Sequence, residues 1–112
     1  MDMREYQLLA ARTLYRGTTP TTSLHVVALG LASEVGEIAS EIKKAVEQDR
    51  PVDREKIREE AGDAAWYLSA ILTLLAIGLE SCAEDNIEKL QRRYPDGFTP
   101  EASIERRDKA TA

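Results

Sequence analysis

The stretch Leu24–Gly78, LHVVALGLASEVGEIASEIKKAVEQDRPVDREKIREEAGDAAWYLSAILTLLAIG, decides how this chain folds. In its first half Leu24, Ala28, Leu31, Val35, Ile38, Ile42 and Ala45 recur at helical spacing; in its second half Ile57, Ala61, Ala64, Leu68, Ile71 and Leu75 do the same. Each set is one apolar stripe of an α-helix. Between them Gln48-Asp49-Arg50-Pro51-Val52 interrupts the periodicity, and Asp53 offers a side-chain oxygen to cap the second of the two helices. So short a connection implies two antiparallel helices, expected over about Leu24–Glu47 and from Asp53 to about Ile77.

Punctuation on either side extends the pattern to four helical segments. The first is expected from about Met3 to Tyr15, stopped by Gly17. The Thr-rich loop Gly17–Ser23 then ends in Thr22 or Ser23 as an N-cap. Gly78 lies near the end of the third helix. Ser81, with Glu84 three residues later, resembles a capping box for a fourth helix reaching about Tyr94, where Pro95-Asp96-Gly97 ends it. After Phe98, Pro100, Ile104 and many charges read as a draped or partly disordered tail. The expectation is one all-α domain over 1–112, with a core of about 3–98 and a tail of 99–112; 112 residues leave no room for a second core.

Composition narrows the function classes. Charged residues make up 31% and apolar ones 43%, as in a soluble globular protein, while an aromatic content of 5% gives strands little support. A net charge of −5 argues against a nucleic-acid surface. It does not exclude a free nucleotide, because a divalent cation reverses the local sign of a carboxylate site. The apolar run Ala64–Leu79 is interrupted by Ser69 and Thr73 and is too short to span a bilayer comfortably. Cys82 is the single cysteine, and with no basic-then-apolar leader a reducing cytoplasm is expected. The third helix is apolar almost all round after Asp63, taking in Trp66, Leu72, Leu74, Ala76 and Ile77. Burial against a second subunit would cover it.

Two acidic pairs stand at i, i+3 spacing, Glu34 with Glu37 and Glu60 with Asp63. Spacing alone is weak, since Asp85 with Glu88 and Glu105 with Asp108 share it and read as solvated surface charges. Position relative to the core separates the two kinds. At about 100° per residue, each of the first two pairs lies to the same side of its helix's apolar stripe. They are also placed symmetrically about the turn at Gln48-Asp49, so all four carboxylates should converge at one height. Such a cluster repels itself and loses solvation. A hard divalent cation with oxygen ligands, magnesium with manganese as a substitute, relieves both costs. Gly36 and Gly62 sit mid-helix inside the two pairs, where Gly costs roughly 1 kcal/mol; close helix packing is their expected role. A di-iron bundle would want Glu-x-x-His motifs and zinc would want Cys and His ligands. The lone His25 and Cys82 fit neither.

Glu34–Lys44 (EVGEIASEIKK) and Glu59–Ile71 (EEAGDAAWYLSAI) resemble the two halves of the motif of MazG-like nucleoside triphosphate pyrophosphohydrolases. The flanks REYQLLAART and NIEKLQRRYPDGF (Asn86–Phe98) are similar to those of short, stand-alone and phage-type members, so the resemblance covers nearly the whole chain. Ser33 and Ala61 depart from it, away from any ligand position. The resemblance implies an antiparallel four-helix bundle completed by homo-oligomerisation, as dimer or tetramer. It also implies hydrolysis of a nucleoside or deoxynucleoside triphosphate between the α- and β-phosphates. On this basis Glu34, Glu37, Glu60 and Asp63 hold magnesium, which neutralises phosphate charge and helps orient a water. Glu37 or Glu34 is the candidate to take that water's proton. Asn86, Lys89 and, more weakly, Arg93 share one face of the fourth helix and are candidate triphosphate contacts, with Tyr67 lining the nucleotide pocket. Trp66 reads as core or subunit interface, and Lys43 and Lys44 as solvated. Two rivals stay open: a helical regulatory or interaction module without turnover, and a related enzyme acting on phosphoribosyl-ATP. No nucleic-acid polymer and no membrane partner is expected.

Overall fold

The hairpin expected around Gln48-Asp49 forms, as α2 (Pro20–Glu47) and α3 (Arg54–Leu74). The computed structural model describes residues 1–15 and 19–109, with the backbone alone at 20–22. Among the described residues there is no strand; α1 (Met3–Ala11) precedes the hairpin, and α4 (Leu79–Arg93), α5 (Pro100–Glu105) and a 3-10 turn (Arg107–Lys109) come after it.

Helix α2 begins four residues earlier than its stripe indicates. Pro20 suits a first helical position, because its missing N–H would have no partner there. Ser23 is thus inside the helix, its N–H donating to the Thr19 carbonyl at 3.1 Å, and does not cap it. Gly17, Thr18 and the side chain of Thr22 lie outside the described residues. Asp53 does cap α3, accepting from the Lys56 N–H at 3.1 Å. Across the turn Glu41, 5% exposed, accepts both ends of the Arg50 guanidinium at 2.7 and 3.1 Å and the Asp53 N–H at 2.9 Å. These three charge-assisted bonds tie α2 to the start of α3 and satisfy a carboxylate that burial would otherwise penalise.

Both hairpin helices end the same way. At the end of α2 the Asp49 and Arg50 N–H groups donate back to Val46 and Ala45, with Asp49 left-handed at φ 49°. At the end of α3 the Ala76 and Ile77 N–H groups donate to Thr73 and Leu72, with Ala76 at φ 57°. This pairing closes the last carbonyls of each helix. Asp tolerates the left-handed conformation; Ala does so at a cost.

Helix α1 stops at Ala11, short of the expected Tyr15, and runs antiparallel to α3: Trp66 Nε1 donates to Thr13 Oγ1 at 2.8 Å, and Gln7 Nε2 to the Ile77 carbonyl at 2.9 Å. Helix α4 starts directly after Gly78, with no side-chain cap, so the Ser81–Glu84 box is not formed. It leaves α3 at 103°. In the chain α1, α2 and α3 therefore lie side by side, while the fourth helix of the expected antiparallel bundle swings outward.

The tail is more ordered than its composition implies. Thr99 caps α5, and the chain doubles back so that the Asp108 side chain is only 1% exposed. Arg106 grips that carboxylate at 3.1 and 3.2 Å, and Arg93 of α4 lies 4.0 Å from it. Asp108 is thus a buried clasp on α4, and the reading of Glu105 with Asp108 as two solvated charges fails for Asp108. The two guanidiniums, Arg106 foremost, hold its carboxyl below the usual range.

Little of the apolar stripe is covered. Val27, Ala45 and Ala70 are the buried hydrophobic residues among those described, whereas Val35, Ile42, Val46, Leu68 and Leu75 are exposed. The accessible surface is 8359 Å², against about 6,200 Å² for a compact monomer of this mass. The radius of gyration is 17.6 Å, against about 13 Å for a compact chain of this length.

Candidate functional site: an acidic centre in a helical groove

Antiparallel pairing puts Glu34 of α2 level with Glu60 of α3, and Asp63 one turn on. One carboxylate oxygen from each of these three residues lies within 4.8 Å of the others. Oε2 of Glu34 is shut from solvent and meets no hydrogen-bond donor. Its nearest polar company is another carboxylate, with which it can share a proton but nothing more. The Glu34 carboxyl is accordingly pushed up to about 7, first by proton sharing with Glu60, then by burial, then by the charges of Glu60, Asp63 and Glu37. Neither strain has a remedy within the trio.

The fourth acid of the expected set takes a different position. Glu37 is exposed and faces Lys56, with Nζ 3.7 Å from Oε2. Its charge still reaches Glu34. The structure thus brings Glu34, Glu60 and Asp63 together and sets Glu37 at the rim beside a cation. Lys56 is not among the candidates read from sequence, and symmetry about Gln48-Asp49 pairs Glu37 with Glu60 instead; only the packed side chains bring Lys56 to Glu37.

Helix α1 adds Tyr6, also outside the candidates. Burial, and behind it the charge of Asp63, raises its phenol above the ordinary value. The charge of Asp63 thus reaches the phenol of α1. Farther along the same groove the Tyr67 ring rests directly on Gly30 and meets Trp66 edge-on, with centroids 5.1 Å apart. A Cβ at Gly30 would stand 2.5 Å from Tyr67 Cζ. Gly30 is thus the glycine of close approach. At Gly36 and Gly62 an added Cβ would meet nothing within 4 Å, so the expected packing role of those two is not found in this chain.

Asn86 and Lys89 are exposed on α4, and Lys89 makes no ion pair among the described residues. Arg93 is half-buried, over the Tyr94 ring at 5.0 Å and beside Asp108; its Nε is buried without a hydrogen-bond partner. Helical rise and the 103° corner put Lys89 and Asp63 roughly 20 Å apart along the backbone. Among the described residues the cations of α4 form no ion pair with Glu34, Glu60 or Asp63. His25 and Cys82 are exposed, and neither belongs to the trio. No single helix among the described residues is long and apolar enough to cross a membrane.

The donor set suits a hard divalent cation. It is all carboxylate oxygen, and the unsatisfied, solvent-shut Oε2 of Glu34 is the kind of atom such an ion would complete. An oxygen-only trio with an exposed Asp63 leaves the outer side open to water and phosphate.

Comparison with known proteins gives a consistent result. A family model described as MazG nucleotide pyrophosphohydrolase domain matches residues 22–98, which takes in the acidic centre and α4. The Gene 37 protein of Mycobacterium phage L5 is 33% identical over 105 residues, covering 87% of this chain and 92% of that protein. No solved structure matches the chain.

Proposed function

Because the chain belongs to the MazG nucleotide pyrophosphohydrolase family, we propose that it hydrolyses a nucleoside or deoxynucleoside triphosphate to the monophosphate and pyrophosphate with magnesium, or manganese in its place. The observation that carries this reading is the clustering of Glu34, Glu60 and Asp63, one carboxylate oxygen of each within 4.8 Å of the others, with Oε2 of Glu34 buried and unpartnered. Those three residues hold the ion, with Glu37 at the rim completing the acidic set. When bound, the cation supplies charge neutralisation to the phosphates.

The chain's own groups do the rest. Glu37 has water on one side and Lys56 on the other; it is the carboxylate best placed to take a proton from an attacking water. Glu34, held high in pKa without the ion, would bind it as the ionised carboxylate. Tyr67, braced by Gly30 and Trp66, presents a rigid aromatic surface to the nucleotide. Asn86, Lys89 and Arg93 serve the triphosphate. Since they lie too far from the acids of their own protomer, they act in a homo-oligomer, which also covers Val35, Ile42, Val46, Leu68 and Leu75. The accessible surface in excess of a compact monomer is large enough for a stable subunit contact.

Pyrophosphate release from each common NTP and dNTP, with and without magnesium, tests the reading. Glu37→Gln and Asp63→Asn should lower release by roughly 10²-fold or more and leave the protein folded. Asp85→Asn should change it little. Near-wild-type release from Asp63→Asn would refute the mechanism. Magnesium should also raise the melting temperature, by preferential binding to the folded form.

A further inference from the structure

The acids sit on α2 and α3 and the cations on α4, yet α4 turns away from α3 and rests on α1. The angle between the two sets of groups is therefore set at a single corner, residues 75–78. One side chain from a distant part of the chain occupies it. Gln7 of α1 donates from Nε2 to the Ile77 carbonyl at 2.9 Å and to Thr73 Oγ1 at 3.3 Å, and its Oε1 accepts the Leu79 N–H at 2.8 Å.

These bonds are specific to the corner. The Ile77 carbonyl comes just after the last turn of α3, and the Leu79 N–H opens α4, whose own N-cap residue, Gly78, has no side chain to receive it. A primary amide has a donor and an acceptor on one rigid group, so it can hold both ends at a fixed separation. Gln7 is half-buried, which limits competition from water. The other tie across this corner, Arg4 with Glu80 at 3.8 Å, is exposed and too weak to set an angle.

We infer that Gln7 is a positioning residue: its amide fixes the angle at which α4 offers Asn86, Lys89 and Arg93 to a triphosphate, without touching substrate or metal itself. This rests on the proposed role of α4, and its test separates the two. In Gln7→Leu all three bonds are lost at nearly constant volume. Leu79→Pro removes the N–H at the first position of α4, where proline is well tolerated, and Gly78 before it is already extended at ψ 129°.

Two readouts are needed. The first is a pair of nitroxide labels at Arg58→Cys and Gln91→Cys in a Cys82→Ser background, diluted with unlabelled protein. The α3–α4 distance distribution should be narrow with Gln7 and broaden clearly with Gln7→Leu or Leu79→Pro. The second is calorimetric binding of inorganic triphosphate with magnesium. Affinity should fall about tenfold in either variant, while the magnesium-induced rise in melting temperature stays as in the parent. A distance distribution unchanged in both variants would overturn the inference, as would joint loss of the magnesium response and triphosphate binding, which marks a general structural role. A broadened distribution with unaltered triphosphate affinity would overturn the functional half. Absence of pyrophosphate release from every nucleotide by the parent protein would overturn the hydrolase reading and leave both readouts intact.

Discussion

Three chemically identical substitutions should behave in opposite ways. Each of Gly30, Gly36 and Gly62 lies within a helix, so replacement by Ala carries the same gain in helix propensity, about 1 kcal/mol. At Gly36 and Gly62 the new methyl meets nothing within 4 Å in the protomer. Both variants should keep most of that gain. At Gly30 the methyl would stand 2.5 Å from Cζ and 2.6 Å from Cδ1 of Tyr67. The ring cannot simply tilt, because Trp66 braces it edge-on and Trp66 is itself held by Thr13. Overpacking of this kind costs about 1–3 kcal/mol. Net destabilisation of up to about 2 kcal/mol is expected at Gly30, against stabilisation of about 1 kcal/mol at each of the others. Urea denaturation of metal-free protein, at one protein concentration below that needed for assembly, measures all three. A second cycle with Tyr67→Leu should largely remove the penalty at Gly30. Gly30→Ala as stable as Gly36→Ala would refute the close approach. Destabilisation at Gly36 or Gly62 that emerges only at high protein concentration would place a second protomer against that glycine.

Glu41, held down to about 2 first by hydrogen bonds from Arg50 and then by the Asp53 N–H, has a folded pKa below its ordinary 4.5. It therefore contributes stability above about pH 4.5 that is lost as pH falls toward 2, and Glu41→Gln should flatten that acid limb in pH-dependent denaturation. Glu34 works in the other direction. With its pKa raised from 4.5 to about 7, metal-free protein should lose stability as pH climbs through that window, and saturating magnesium should abolish the slope. Ala76 holds φ 57° at the end of α3, so Ala76→Gly should stabilise by about 1 kcal/mol, read as a rise of a few degrees in melting temperature.

The hairpin is legible in sequence because everything that makes it is local: two stripes at helical spacing, a proline-containing turn and an aspartate at the cap. The convergence of Glu34, Glu60 and Asp63 comes from the same symmetry. Glu37 departs from it because Lys56, a residue on the facing helix, competes for its carboxylate. What local pattern does not carry is direction. The 103° exit of α4 depends on a left-handed alanine and on a glutamine 70 positions from the carbonyl it holds. The box at Ser81 and Glu84 points to a later start for α4 because the true start, after Gly78, has no side-chain mark. Asp108 reads as one more surface charge; its burial comes from arginines on two different elements. Gly36 and Gly62 stand out in sequence because they lie inside the acidic pairs. Gly30 has no such neighbours, and only the ring folded onto it reveals its role.

The clamp of Glu41 on Arg50 and Asp53 also makes the turn a ruler. It sets where α3 begins, and every residue beyond inherits that origin. Adding a single residue between Arg50 and Asp53 would either break the clamp or advance α3 by one position, about 1.5 Å along its axis and about 100° around it. Asp63 would then turn out of the groove and Gly62, with no side chain to offer, would take its place in the acidic centre. An insertion of the same length after Gly78 would leave the acidic trio as it is and alter only how α4 departs. Length in this chain is thus tolerated unevenly: the five-residue turn is a calibrated part of the acidic centre, although none of its atoms belongs to it.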